Sequence, residues 1–339
     1  MPYTQMAKPI HNYLLTKAKG ILLLPHQNPD PDALSSVCTF MYYLDRIGKP
    51  YTAFCGTSFK TSVDFLPNLK NIQTDPAVLE GKEFDTVCTF DAGDLKRAIS
   101  TPALEAVTKN VLVINFDHHF SREHWGDMRL VDTDASSTTM VLYNYLKYNH
   151  ITIDHNLSTC ILTGLISDTE NFTNAATRAS TLQVASDLMR RGGNINLIKE
   201  ELLKDKTIAG LKFWSVIFER LYHNPKHKLA VTYVKKSDAE HYTIDEDELA
   251  GVSNFIKMMK DADVVLFLKE THDGKVKGSL RTTGDFDCAG LAMQLGGGGH
   301  RKAAGFAVDG LIREHKDGYI MIEGDSEEVK KLNELIQLV

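Results

Sequence analysis

Short, largely apolar runs recur through the first half of this chain, and each one stops at acids or imidazoles. Ile21-Leu-Leu-Leu-Pro25 runs into His26-Gln-Asn-Pro-Asp30-Pro-Asp32, Asp85-Thr-Val-Cys-Thr-Phe90 ends at Asp91, and Val111-Leu-Val-Ile-Asn-Phe116 ends at Asp117-His118-His119. Runs this short and this apolar read as strands buried on both faces. Their alternation with helical patterns up to about residue 170 predicts βα units around a parallel sheet. The polar clusters then fall at the carboxyl ends of the strands, where open α/β sheets place their sites.

Residues two apart in extended chain point the same way, so Asp30 and Asp32 would aim both carboxylates into one small volume. Their repulsion there calls for cations. The alternative is a plain turn, because Asn-Pro-Asp-Pro-Asp is also good turn chemistry. Asp117-His118-His119 should reach the same sheet edge, and imidazoles mixed with carboxylates and no thiolate favour Mn²⁺ over Zn²⁺. Neighbouring histidines are also common on plain surface. Asp91 and Asp168, the latter after the apolar helix Cys160 to Ile166, read as further ligands or as cap and loop acids. Asp94, Asp132 and Asp134 are assigned to turns and helix starts, with Ser136-Ser-Thr-Thr139 able to cap the next helix.

In the second half, Gly296 to Gly299 followed by His300 could present several backbone N–H groups to an oxyanion. A flexible linker is the competing reading, although a linker would carry more Ser or charge. Strand-like stretches at Lys228 to Val234, Ala262 to Leu268 and Lys275 to Leu280, with a helical pattern from Glu248 to Met259, predict a smaller α/β domain.

In this order, the motifs closely resemble those of the DHH phosphoesterase superfamily. Gly297-Gly-Gly-His300 with Ala303-Ala304-Gly305 is similar to the signature of the DHH-associated C-terminal domain, and Gly278-Ser-Leu-Arg281 to the strand that supplies its substrate-binding arginine. The resemblance spans roughly residues 8 to 310 and implies an α/β fold, with a parallel-sheet DHH domain, a smaller C-terminal domain and the active site in the cleft between them. It implies two Mn²⁺ ions, with Co²⁺ or Mg²⁺ as substitutes: His26, Asp30 and Asp91 would hold one, and Asp32, Asp91, His118 and Asp168 the other. Asp117 would orient a histidine, His119 would face the substrate phosphate, and Arg281, Gly297, Gly298, Gly299 and His300 would bind substrate.

Within the superfamily, length and domain plan most resemble the nanoRNase and 3′-phosphoadenosine 5′-phosphate phosphatase group. The expected reaction is hydrolysis of short oligonucleotides, and of 3′-phosphoadenosine 5′-phosphate, to nucleoside monophosphates. The alternative is a phosphodiesterase for linear or cyclic dinucleotide messengers such as pApA or c-di-AMP. A catalytically silent nucleotide sensor is a third reading, against which the full ligand set argues. Pro31, the segment Phe120 to Trp125 and Met140 depart from the superfamily pattern, which bears on substrate preference and not on the metal ligands.

At 339 residues the chain is long enough for two cores. We divide it into residues 1–190, a helical connection 191–218, and residues 219–339. The five cysteines lack Cys-x-x-Cys spacing, so reduced thiols are expected. Neither a cleavable signal nor a membrane-length apolar stretch is evident, and a cytoplasmic location is the expectation. The formal net charge is −6, and two divalent ions would still leave it negative. Long nucleic acid therefore has no general basic surface to bind, and the available cations cluster locally near the motifs. Short oligonucleotides or small nucleotides are the expected partners, with no membrane and with a homodimer as a further expectation.

Overall fold

The computed structural model describes residues 2–59, 63–119, 125–203, 207–242, 249, 252–256, 259–315 and 320–337. The chain divides into two compact units, Met1–Lys204 and Asp205–Val339.

The first unit is built on a five-stranded parallel sheet: β1 (Ile21–Pro25), β2 (Tyr51–Ala53), β3 (Thr86–Phe90), β4 (Leu112–Asp117) and β5 (Met128–Val131), in the order β2-β1-β3-β4-β5. Around it lie α1 (Pro2–Thr16), α2 (Pro31–Arg46), α3 (Leu95–Ala98), α4 (Pro102–Val107), α5 (Thr138–Tyr148), α6 (His155–Asp168), α7 (Ala179–Arg190) and α8 (Ile195–Leu203). Every residue of β1 and β3 is buried, because the sheet is covered on both faces. Ile21, Leu23, Cys88 and Phe90 pack with Phe40, Tyr43 and Tyr145 on one side, while Leu22, Leu24 and Val87 pack with Leu79 and Leu104 on the other. That double cover explains why β1 reads as a continuous apolar run, and why β3 shows no exposed alternation, with Thr86 and Thr89 buried as well. The strand order reverses between β1 and β3, so the loops after them diverge and leave a crevice at the carboxyl edge.

The second unit contains α9 (Ile208–Glu219), β6 (Tyr222–Asn224), β7 (Leu229–Val234), α10 (Lys236–Tyr242), α11 (Val252–Ile256), β8 (Val264–Glu270), β9 (Lys275–Thr282), α12 (Cys288–Gln294), β10 (Gly298–His300), β11 (Ala303–Asp309), β12 (Leu311–Glu314), β13 (Ile320–Glu323) and α13 (Glu327–Gln337). Six strands form one mixed sheet, β10-β11-β9-β8-β7-β6, in which only β7 and β8 run parallel; β12 and β13 pair separately. Of the helix expected over Glu248 to Met259, Val252–Ile256 is seen, and residues 248, 250, 251, 257 and 258 lie outside the described residues. All five cysteines are buried and free. No helix among the described residues is long and apolar enough to cross a membrane.

One local expectation needs correction. Asp30 and Asp32 do not sit together on an extended loop. Asp30 is the N-cap of α2, its Oδ1 accepting from the Ala33 N–H at 3.0 Å, and Pro31 follows it as the first helical residue. A capping aspartate followed by proline is a strong helix start, so Asp32 lies in the first turn of α2.

Candidate metal centre

The loops after β1, β3 and β4 and the carboxyl end of α6 bring His26, Asp30, Asp91, Asp117, His118, His119 and Asp168 into one volume, into which α2 also delivers Asp32. His26, only 5 % exposed, places Nδ1 2.8 Å from the Gln27 carbonyl. A carbonyl can only accept, so Nδ1 carries the hydrogen and Nε2 keeps its lone pair. That Nε2 lies 3.8 Å from both Asp30 Oδ2 and Asp91 Oδ2. The cap of α2 thus uses one oxygen of Asp30 and leaves the other for the cluster, so turn chemistry and site chemistry coexist in this residue.

Asp91 is the hub. It is 1 % exposed, with Oδ1 3.5 Å from His118 Nε2 and 3.3 Å from His119 Nδ1. Its backbone has φ +60°, a left-handed conformation that costs most residues energy but that Asp and Asn adopt more readily than others. The bend at the end of β3 is what turns this carboxylate back between His26 and the two histidines. Asp117 works differently. Its carboxylate accepts from the backbone N–H groups of Gly93 at 2.8 Å, His118 at 2.7 Å and His119 at 2.9 Å, and Oδ1 also lies 2.9 Å from His119 Nδ1. It therefore fixes the loop that carries both imidazoles.

His118 Nε2 lies 3.1 Å from Asp168 Oδ2, yet it is a buried nitrogen with no hydrogen-bond partner of good geometry. A buried, unsatisfied ring nitrogen facing carboxylates is the donor set a divalent ion requires. Among the described residues, three groups of side chains have ligand atoms close enough to share an ion: His26, Asp30 and Asp91; Asp91, His118 and His119; and Asp32, His118 and Asp168. The donors are oxygen and nitrogen, with no sulfur. The residues present therefore fit hard or borderline divalent metal.

Titration behaviour follows from this crowding. Burial, together with the charges of Asp91 and Asp168, pushes Asp32 well above the usual carboxylate range. Burial likewise raises Asp168, against the pull of His118. Burial alone would lower His118, but the close approach of Asp168 and the charges of Asp168 and Asp91 carry it up to about 9. His119 shows the same balance and is held at about 11 by Asp117 and Asp91. These are the values of a site whose negative charge is balanced by protons; bound cations would displace them.

The acids set aside in the sequence sit apart from the cluster. Asp94 caps α3, Asp132 accepts from the Asp134 N–H in a turn, and Asp134 pairs with Arg178 at 2.6 Å on the surface. Residues 120–124 lie outside the described residues.

In the second unit Arg281 lies on β9, opposite Ala303 of β11 and Val265 of β8, half-buried, with Nη1 donating to the Leu280 carbonyl at 3.0 Å. The four glycines differ in what they require. A Cβ on Gly297 would overlap the Gly305 carbonyl and come within 2.6 Å of Phe306 Cα; one on Gly299, at φ +140°, would lie 2.6 Å from Ala304 Cα. Those two let β10 lie close against β11. Gly298, by contrast, has no heavy atom within 4 Å of the same position. The side chain of His300 lies outside the described residues. Close packing therefore accounts for Gly297 and Gly299 without reference to an anion.

Residues missed in the sequence complete the centre: Thr138 and Thr139 donate to Asp91 and Asp32, and Gly164 lies against Asp32. The serine-threonine stretch read only as a helix cap. A glycine inside the apolar helix α6 was the available signal, since that position costs stability unless something must approach closely.

A doubly wound sheet with acids and imidazoles gathered at its switch point, followed by a mixed-sheet unit, defines a class of metal-dependent phosphoesterases. Residues 20–165 match the DHH family, N-terminal domain, and residues 226–339 match the DHHA1 domain, so the chain carries a DHH and a DHHA1 domain. It is 26 % identical over 291 residues to the bifunctional oligoribonuclease and PAP phosphatase NrnA of Thermus thermophilus, covering 86 % of this chain and 85 % of that protein. In structure it is similar to an exopolyphosphatase-related protein from Bacteroides fragilis, with TM-score 0.82, 22 % identity, and 97 % and 95 % of the two chains covered. RecJ from Thermus thermophilus in complex with Mn²⁺ is a more distant likeness, with TM-score 0.52 and 14 % identity over 91 % of this chain and 52 % of that one.

Proposed function

We propose that this chain is a two-metal hydrolase that cleaves short oligonucleotides, and 3′-phosphoadenosine 5′-phosphate, to nucleoside monophosphates. The observation that carries the reading is Asp91, whose carboxylate stands between His26 on one side and His118 and His119 on the other. His26, Asp30 and Asp91 would hold one divalent ion, and Asp32, Asp91, His118 and Asp168 the other. Mn²⁺ suits this mixture of imidazole and carboxylate. The chemistry such a pair supplies is activation of water and neutralisation of phosphoryl charge.

The chain's own residues do the rest. Asp117 orients His119, so that its ring can help stabilise phosphoryl oxygens as charge develops. Arg281 and the Gly297-Gly298-Gly299-His300 stretch would hold a substrate phosphate away from the reacting centre. For the domain organisation, residues 1–190 would supply the metal chemistry and 219–339 the substrate grip. The substrate class draws support from the NrnA relative, which covers most of both chains, and from a net charge of −6 that suits small substrates better than long polyanions. The test is a substrate panel in Mn²⁺: 5′-phosphorylated oligonucleotides of two to five residues, 3′-phosphoadenosine 5′-phosphate, and linear and cyclic dinucleotides. Release of monophosphates from the short linear substrates is expected. Turnover confined to cyclic dinucleotides would overturn the assignment.

A further inference from the structure

Asp32 is completely buried, yet its carboxylate is not left to the ions alone. Oδ2 accepts from the Thr138 N–H at 2.7 Å, and Oδ1 accepts from the Thr139 N–H at 3.2 Å and the Thr139 hydroxyl at 2.8 Å. These donors are the first turn of α5, whose own cap is Ser137, accepting from the Met140 N–H at 3.0 Å. The exposed N–H groups and positive end of a helix are thereby turned onto an acid that belongs to another helix. The same turn reaches the hub, because the Thr138 hydroxyl donates to Asp91 Oδ1 at 2.9 Å. On the third side stands α6. A Cβ on its Gly164 would overlap Asp32 Oδ1 and lie 2.5 Å from the Thr139 hydroxyl. Only glycine lets α6, which ends in Asp168, pass this close.

We infer that Thr138, Thr139 and Gly164 form a carboxylate clamp, a set of positioning residues that holds Asp32 and Asp91 in ligating geometry before any cation binds. The inference rests on the metal reading above. In a centre of converging acids, like-charge repulsion would drive the side chains apart when the ions leave. Donors fixed in a helix terminus oppose that without competing for the ions themselves. A carboxylate has about four lone-pair sites. Three donors already occupy Asp32, which would leave it room for one metal bond. The clamp also separates the two threonine hydroxyls by role: Thr139 serves Asp32, and Thr138 serves Asp91.

The test measures Mn²⁺ affinity and stoichiometry by calorimetry on the full chain, beside thermal unfolding of the chelated protein. Thr139→Val should weaken binding by roughly ten- to a hundredfold, the usual effect of removing a group that orients a ligand. Thr139→Ser, which keeps the hydroxyl, should bind within about threefold of the parent, since the donor is retained. Gly164→Ala should lose binding more severely, and if it fails to fold the threonine pair still decides the matter. A purely structural role would lower the melting temperature of Thr139→Val yet leave the affinity of the folded protein unchanged; that result overturns the clamp. Failure of the parent protein to bind Mn²⁺ would instead overturn the metal reading, and the clamp with it.

Discussion

At residue 91 the demands on backbone and side chain coincide. The left-handed φ that turns the carboxylate into the cluster is one that asparagine tolerates as well as aspartate. Asp91→Asn therefore removes the charge shared by both proposed ion sites while preserving the bend. Turnover should fall to below about a thousandth, with circular dichroism unchanged. Asp134→Asn, which breaks only the exposed pair with Arg178, should change activity less than about twofold. Near-normal rates in both variants would contradict the ligand assignment.

His118 supplies a second residue-scale test. Its pKa in the metal-free fold, about 9, lies above the ordinary histidine value of 6.5. The stabilisation from its pairing with Asp168 is thus fully present below pH 6.5 and is lost as pH rises through 9. Metal competes with the same proton, so affinity should rise across that window. Chelated protein should lose melting temperature between pH 6.5 and 8.5, and Mn²⁺ should offset the loss progressively. Stability of the chelated protein that rises over this range would refute the proposed pairing.

Among the elements, those with strong local signals were legible in the sequence: β1, β3 and β4 as apolar runs, α6 ending at Asp168, and β7, β8 and β9 in the second unit. Buried parallel strands announce themselves because both faces are apolar. What could not be read locally was long-range. Asp32 meets Thr138 and Thr139 across 106 and 107 positions, a contact set by the packing of α2 on α5 and α6. The helical placement of Asp32 could have been read, because Asp30-Pro31 is a helix start; taking the stretch as extended missed the cap.

Strand β9 tests the division of labour between the units. If Arg281 holds a terminal substrate phosphate as proposed, Arg281→Ala should remove a charge-assisted contact worth about 1.5 to 3 kcal/mol, hence roughly ten- to a hundredfold in kcat/KM for a substrate that carries one. Metal content, and hydrolysis of bis-(p-nitrophenyl) phosphate, should not change. Equal loss on both substrates together with released metal would assign the arginine to the catalytic centre or to the fold.

For the whole molecule, an acidic chain presents little to attract a long polyanion, and what it binds must be held by a few local groups. Oligonucleotides of two to five residues should be turned over at least about tenfold faster than twenty-residue strands at physiological salt, since the net negative charge opposes a longer polyanion. Comparable rates on both lengths would contradict this. The most direct measurement is a titration of chelator-stripped protein with Mn²⁺ while hydrolysis of a 5′-phosphorylated dinucleotide is followed. Activity should be absent at the start and return in proportion to metal up to two equivalents per chain, with Co²⁺ a partial substitute and Mg²⁺ a poorer one. Full turnover in excess chelator would contradict the account.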